Sequence, residues 1–279
     1  MTPRGWPDGH FYSPVPSDED IDRSHRQRRQ SVGRTFPGID IDSRRMLRLA
    51  IRLRRAVGDH RLASLPGAGR RYGYDDPNNG QFGRADAALL TAMLAHLRPR
   101  RIIEVGSGFS TAVMLDVVEA FSLPTRITTI DPFPERLRAV MGAEDDERLE
   151  VIEAPVQDVG TEPFRGLRRR DVLFIDSSHV AKSGSDVVHE LLEVVPRLAP
   201  GVHLHVHDIF PGFDYPRPWL EEGRYWNEAF LLRALLIHNR RLRVTLWPAC
   251  LPPDERARLA EALPLLGERN GGSIWMRTH

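Results

Sequence analysis

The chain has 279 residues, 41% of them hydrophobic and 28% charged, with a formal net charge of +1 at pH 7. That make-up suits a globular protein with one large core, and it carries no electrostatic footprint for a nucleic-acid partner. No apolar run reaches membrane-spanning length, residues 1–8 lack the apolar centre of a signal peptide, and the single cysteine, Cys250, excludes a disulfide framework, so a cytoplasmic protein without a membrane partner is expected.

Residues 1–42 are rich in Pro, Gly, Ser and charge and read as an extended N-terminal arm. The arm holds an aromatic and proline island from Gly9 to Pro16, including Phe11, Tyr12 and Pro14. Residues 43–279 read as a single domain, with pre-sheet helices and a loop over 43–100 and an α/β core over 101–279. From Ser43 to Val57 the residues Met46, Leu47, Leu49, Ala50, Leu53 and Val57 recur at helical spacing among arginines. The spacing predicts an amphipathic helix whose arginines form a solvated face. Arg70 to Arg84 is a polar, aromatic loop containing Tyr72, Tyr74, Asn78, Asn79, Gln81 and Phe82, suited either to lining a site or to plain connection. A helix is expected from Ala85 through Leu97.

Arg101 to Thr111 predicts a strand, a glycine turn and the start of a helix. Ile102, Ile103 and Val105 suit a strand covered on both faces. Gly106 and Gly108 allow a tight turn and close backbone approach, and Ser110 and Thr111 can cap the following helix. Such a unit makes a site for a nucleotide-like ligand. A dinucleotide fold wants Gly or Ala where Thr111 stands. The next strand, Arg126–Ile130, ends at Asp131, about 20 residues beyond the glycines, where an acid can hold two vicinal ribose hydroxyls.

Further strands are expected at Leu149–Glu153, Asp171–Asp176, Val202–Asp208, Leu242–Leu246 and Ser273–Met276, and a helix from Pro253 to Leu263. Apolar strands deliver Asp176 and the pair His207–Asp208 to the carboxyl edge of the sheet, where open α/β sheets bind ligands. His203, His205 and His207 share one face of their strand, too far apart along it to converge on an ion without other elements. Apart from Lys182, every Lys/Arg cation is arginine. The lone lysine follows the Asp176–His179 segment, where a compact ammonium would serve catalysis and a surface lysine would serve nothing. Phe210 to Leu220, with Tyr215 and Trp219, and then Tyr225 and Trp226, form an aromatic segment leaving that edge, suited to an apolar wall around a substrate.

Glu104 to Thr111, followed by Thr129–Asp131, resembles motif I and the second-strand acid of class I S-adenosylmethionine-dependent methyltransferases. Phe174–His179, His207–Phe210 and Tyr225–Glu228 resemble the bacterial methyltransferase-24-like small-molecule group, a likeness spanning roughly residues 70–279. The resemblance implies a Rossmann-like, doubly wound, seven-stranded and mostly parallel sheet with a reversed final strand. It implies S-adenosylmethionine as cofactor, held by Glu104, Gly106, Ser107, Gly108, Ser110, Thr111, Asp131 and Asp176, with Gln157 and Asp158 near the adenine. It implies a small-molecule acceptor and an arm that packs over the active site or a neighbouring subunit of a homo-oligomer.

In related metal-dependent O-methyltransferases an Asp in the position of Asp176 binds a divalent cation, and the residue three further on is the general base. His179 fits that role if a neutral imidazole takes the acceptor's proton near neutral pH. Asp176 and Asp208 are the expected metal ligands, with His207 a further candidate; magnesium prefers oxygen donors, whereas imidazole suits manganese, iron or zinc. Metal dependence is left open by the sequence. O-methylation follows from the resemblance and the histidine base, and the absence of an Asn/Asp-Pro-Pro-Tyr segment argues against methylation of exocyclic amines in DNA. A nicotinamide-dependent oxidoreductase, disfavoured by Thr111 and Glu104, and a noncatalytic nucleotide-binding module are the alternatives.

Overall fold

A computed structural model describes residues 5–31, 36–58, 71–72, 80–142, 147–266 and 271–279. In chain order the first elements are α1 (Asp18–Ser31), α2 (Ser43–Val57), α3 (Arg84–Leu97), β1 (Arg101–Val105), α4 (Phe109–Ala120), β2 (Arg126–Ile130), α5 (Glu135–Val140) and β3 (Leu149–Ile152). There follow α6 (Val156–Val159), β4 (Val172–Ile175), α7 (Asp186–His189), β5 (His203–Val206), α8 (Arg217–Glu221), α9 (Glu228–Leu236), β6 (Leu242–Leu246), α10 (Pro253–Ala262) and β7 (Ile274–Thr278).

The strands form one seven-stranded sheet in the order β3-β2-β1-β4-β5-β7-β6. The pairs from β3 to β5 are parallel, and β7 runs antiparallel to both β5 and β6. This is the doubly wound sheet with a reversed last strand that the sequence leads one to expect. All four residues of β4 are buried, as a strand covered by helices on both faces requires. At the carboxyl edge the ladder continues past the strands: Gly106 N donates to Ile130 O, Asp176 N to Val105 O and His207 N to Ile175 O, at 2.9–3.0 Å. These bonds carry the residues just beyond β1, β4 and β5 to one edge in fixed register. At the opposite edge, Asp171 accepts from the amides of Arg100 and Arg101, each at 3.0 Å, tying β4 to β1.

The helix over Ser43–Val57 forms as its spacing predicts, capped by Asp42, whose side chain accepts from Arg45 N. Its buried face of Met46, Leu49, Leu53 and Val57 packs on α3, each side chain contributing roughly 1.5–3 kcal/mol of burial. The arm differs from the extended segment expected of it, because Asp18–Ser31 is the helix α1. Ser17 and Asp20 exchange backbone-to-side-chain hydrogen bonds at its start, and three acidic residues occupy its first turn. One buried apolar residue, Ile21, is too little for a periodic signal. The helix lies on the turn at Pro211–Phe213 and on α8, held by Ser24 to Asp214, by Asp22 to Arg217 at 2.5 Å, and by the Arg28 guanidinium over Phe210. Tyr74, Asn78 and Asn79 lie outside the described residues.

Candidate active site

The glycine turn after β1 closes on a buried acid. Glu104 is fully buried and accepts hydrogen bonds from Ser110 Oγ at 2.6 Å and Thr111 Oγ1 at 2.5 Å. Thr111 Oγ1 also accepts from Gly108 N at 3.1 Å. A threonine therefore stands where a dinucleotide fold has glycine because its hydroxyl bridges the turn to Glu104. Burial raises the Glu104 carboxyl to about 8, against the hydroxyls that stabilise its charge. Gly106 has φ +81°, and a Cβ there would overlap the carbonyl oxygen of Asp176. Gly108 has φ +147° and lies under the stem of Arg136, whose guanidinium sits 5.9 Å from the Phe109 ring. Asp131 reaches back from β2 to the turn: Ser107 N and Oγ donate to its Oδ2 at 2.8 and 2.7 Å, and Phe133 N donates to Oδ1 at 2.8 Å.

Beyond β4 and β5 the chain assembles a charged cluster. His179, 5% exposed and in a left-handed backbone conformation (φ +60°), points Nε2 at Asp176 Oδ1 (3.4 Å) and Asp208 Oδ2 (3.7 Å). Its Nδ1 is 2.8 Å from Glu228 Oε2, at the first residue of α9. The same helix end holds the backbone, since Asn227 N and Glu228 N donate to His179 O at 3.0 and 3.1 Å. Asn227 also exchanges side-chain hydrogen bonds with the backbone of Ala181. Burial by itself would lower the imidazole pKa, but hydrogen bonds and charge from Asp176 and Glu228 outweigh it and raise it well above the usual value. For Asp176, burial works upward, but His207, His179 and His205 hold the carboxyl at about 2. Glu228 has no exposed surface, and burial raises it.

One ligand atom from each of Asp176, His179 and Asp208 lies within 4.8 Å of the others. Two carboxylates and an imidazole at that spacing fit a divalent cation of the manganese, iron or zinc kind. His207 is outside that group: its Nε2 is 3.7 Å from Asp208 Oδ1 and its ring packs 5.0 Å from Phe82. His205 stacks on Phe174 at 3.9 Å and meets Ser273 Oγ at 3.0 Å, so the strand's histidines take separate roles.

A family model described as a methyltransferase domain matches residues 103–209. An uncharacterised protein of Archaeoglobus fulgidus is 33% identical over 169 residues, spanning 58% of this chain and 73% of that protein. The chain carries a domain of the class I S-adenosylmethionine-dependent methyltransferase family. Among solved structures it is similar to the plantazolicin methyltransferase BpumL in complex with a monoazolic desmethylPZN analog and SAH, at 12% identity and a TM-score of 0.47, covering 85% of this chain and 98% of that one. It is also similar to CmcI-N160 in its apo structure, at 17% identity and a TM-score of 0.46, covering 71% and 72%. The O-methyltransferase TomG from Streptomyces achromogenes, in complex with SAM, is 14% identical at a TM-score of 0.44, covering 86% and 91%.

In this methyltransferase a cleft of about 180 Å³ joins the two halves of the site. Ser107, Ser110, Asp176, His179, Asp208 and Trp226 from the sequence reading all line it, as do Gln81 and Phe82 of the polar loop. Trp226 lies 4.4 Å from the His179 ring, backed by Trp219 at 5.2 Å and Tyr215 at 5.8 Å. Tyr215 is buried behind the wall, its hydroxyl accepting from Ala229 N. Tyr225 packs against the core. Of the expected residues outside the cleft lining, Lys182, Asp158 and Gln157 also make no hydrogen bond to the residues that form it. Lys182 and Asp158 are exposed, and Gln157 donates to Gly184 O at 3.2 Å. Arg136, Phe109 and Glu228 are the site residues that sequence reasoning missed. Glu228 closes the quoted segment Tyr225–Glu228, and that is the signal that could have found it.

The elevated Glu104 pKa has a measurable consequence. Its usual carboxyl value is 4.5 and its folded value about 8, so the folded state holds this proton more tightly. The stability it lends is complete below pH 4.5 and is lost as pH rises through about 8, roughly 3 kcal/mol by pH 7. Urea midpoints of Glu104→Gln should therefore fall less between pH 5 and 8 than those of the wild type. Parallel slopes for the two proteins would show that Glu104 does not carry the proton.

Proposed function

We propose that this methyltransferase transfers a methyl group from S-adenosylmethionine to a hydroxyl of a small molecule, with His179 as general base. The observation that carries the reading is the His179 ring, held on one side by Glu228 and facing Asp176 and Asp208 on the other, within the cleft that also contains the glycine turn.

The cofactor lies across Gly106–Gly108 with its ribose at Asp131. A carboxylate offers about four acceptor sites, of which Asp131 uses three, and rotation of the Ser107 hydroxyl frees a second for the two ribose oxygens. Arg136 supplies a cation in the same cleft for the cofactor's carboxylate. The acceptor oxygen sits between His179 Nε2 and the sulfonium methyl, against Trp226, and alignment of that oxygen for in-line displacement is the main contribution to rate. The carboxylates around His179 make it a strong base, and positive charge arriving with the cofactor lowers its pKa towards the working range. Asp176 and Asp208 would hold a divalent cation, which would supply positive charge to acidify the acceptor hydroxyl while His179 Nε2 stays free to take its proton. Residues 43–279 act as one methyltransferase unit in the cytoplasm.

Glu228 is a positioning residue, fixing which imidazole nitrogen faces the acceptor. Glu228→Gln should lower kcat about 10–100-fold while the Kd for S-adenosylmethionine stays within about threefold. Equal losses in both would mean that the variant disturbs the fold rather than the base.

Calorimetric titration with S-adenosylmethionine and S-adenosylhomocysteine, with chelator and then with magnesium or manganese, tests the whole reading. Micromolar binding followed by methylation within a panel of hydroxylated small molecules is expected. No binding under any condition would overturn it.

A further inference from the structure

The largest cavity described lies at the other edge of the sheet. It encloses about 870 Å³ beneath α2 and α3, at the amino ends of β4 and β5. Three of its arginines, Arg45, Arg48 and Arg52, come from the polar face of α2. Arg169 and Arg170 come from the turn before β4, and Arg243 and Arg277 from β6 and β7. Among the described residues no Asp or Glu side chain lines it; the one carboxylate at its rim is the terminal one of His279. Arg45 is paired outside the cavity with Asp40 and Asp42, and Arg170 donates to the His96 carbonyl. Arg48, Arg52, Arg169 and Arg243 have no ion pair among the described residues. A buried Nε of Arg277 and a buried Nδ1 of His203 have no hydrogen-bond partner there.

This arrangement is not a by-product of an arginine-rich composition. The chain carries 39 Lys and Arg against 38 Asp and Glu, so cations gathered at random would bring carboxylates with them. Seven guanidiniums converge here and, among the described residues, only Arg45 has carboxylate side chains as partners, so the others repel one another, and such a concentration is relieved by a ligand of opposite charge. Burial and these arginines together push the His203 imidazole down to about 4, so it stays neutral among them and offers an N–H or a lone pair. One wall is apolar, made by Leu49, Met93, Leu97 and Val244. The site is concave, drawn from five elements and two turns, and of the size that holds a small ligand rather than a duplex. The net charge of +1 lacks the wide basic field of a nucleic-acid surface.

We propose that this cavity is a second ligand site, for a small molecule carrying several phosphates, on the sheet edge opposite the active site. Planar guanidiniums take phosphate oxygens in pairs, and seven of them match the charge of a triphosphate with room to spare. The two sites are linked by β5, which begins at His203 in the cavity and ends two residues before Asp208 in the cleft. Four residues at about 3.3 Å each put them roughly 13 Å apart, so one ligand cannot reach both. The inference stands whether or not methyl transfer is the activity.

Isothermal titration with inorganic tripolyphosphate at fixed ionic strength tests it. One site per chain is expected, with a Kd at least tenfold below that for orthophosphate. Arg48→Glu/Arg52→Glu, both exposed on α2 and outside the core, should weaken binding tenfold or more. Arg243→Gln, which removes one charge without reversing it, should weaken it severalfold, and circular dichroism should show both variants folded. ATP binding more tightly than tripolyphosphate would assign its base to the apolar wall, whereas equal affinity would assign the phosphates alone; both support the site. Binding that is absent, unchanged in the variants, or displaced by S-adenosylhomocysteine would overturn it. So would tighter binding of a 20-base-pair RNA duplex that the same variants abolish.

Discussion

Replacing His179 with glutamine is expected to lower methyl transfer about 10²–10⁴-fold, the usual contribution of a positioned acid-base group. Glutamine keeps length and polarity but cannot take a proton, so the loss belongs to kcat. Binding of S-adenosylmethionine should stay within about threefold, because the glycine turn and Asp131 are held by their own hydrogen bonds, none of which involves His179. The substitution leaves Glu228 buried without its imidazole partner, which costs roughly 1–3 kcal/mol of stability, a loss that Glu228→Gln in the same chain should partly restore. Rates measured at saturating cofactor and acceptor decide the matter. A variant within about fivefold of wild type would remove His179 from the chemistry.

Gly106→Ala should be the most damaging single added methyl group among the described glycines. The backbone there has φ +81°, which costs an L-residue about 1–3 kcal/mol. The added carbon would also overlap the Asp176 carbonyl, a backbone atom that cannot swing aside as a side-chain end can. Relieving that overlap forces β1 and β4 apart where Asp176 N bonds Val105 O, adding about 1–3 kcal/mol of overpacking. Destabilisation of roughly 2–6 kcal/mol is expected, together with loss of cofactor binding, since the turn and the Asp176 ligand set move together. Urea unfolding and calorimetry measure the two effects. Unchanged stability would mean that the turn relaxes freely and that its glycine serves only the ligand.

Much of the site was legible because parallel strands place whatever follows them at one edge. Asp131, Asp176, His179 and Asp208 each come within four residues of an apolar strand end, and the cleft or the turn beside it gathers all four. Glu228 was less legible because its role depends on where the α9 N-terminus docks, about 50 residues further along the chain. Arg136 reads as an ordinary first-turn residue of α5 until the fold lays its stem on Gly108. Gln157 and Asp158 were placed by position after β3, but α6 turns Gln157 towards Gly184. The helix α1 escaped notice because a single buried Ile21 and polar contacts to Asp214 and Arg217, roughly 190 residues away, hold it in place.

By itself the sequence determined the strands, the glycine turn and the acids at the strand ends, because hydrophobic period and turn chemistry are local properties that survive without knowledge of the partners; the doubly wound order of the strands came from the family resemblance. Tertiary structure alone decided the charged surroundings of His179, its partnership with Glu228 and the gathering of seven arginines from α2, β6, β7 and the turn before β4 into one cavity. Those depend on charge at a distance of a few ångströms and on burial. Neither quantity exists until segments far apart in the chain have packed against each other.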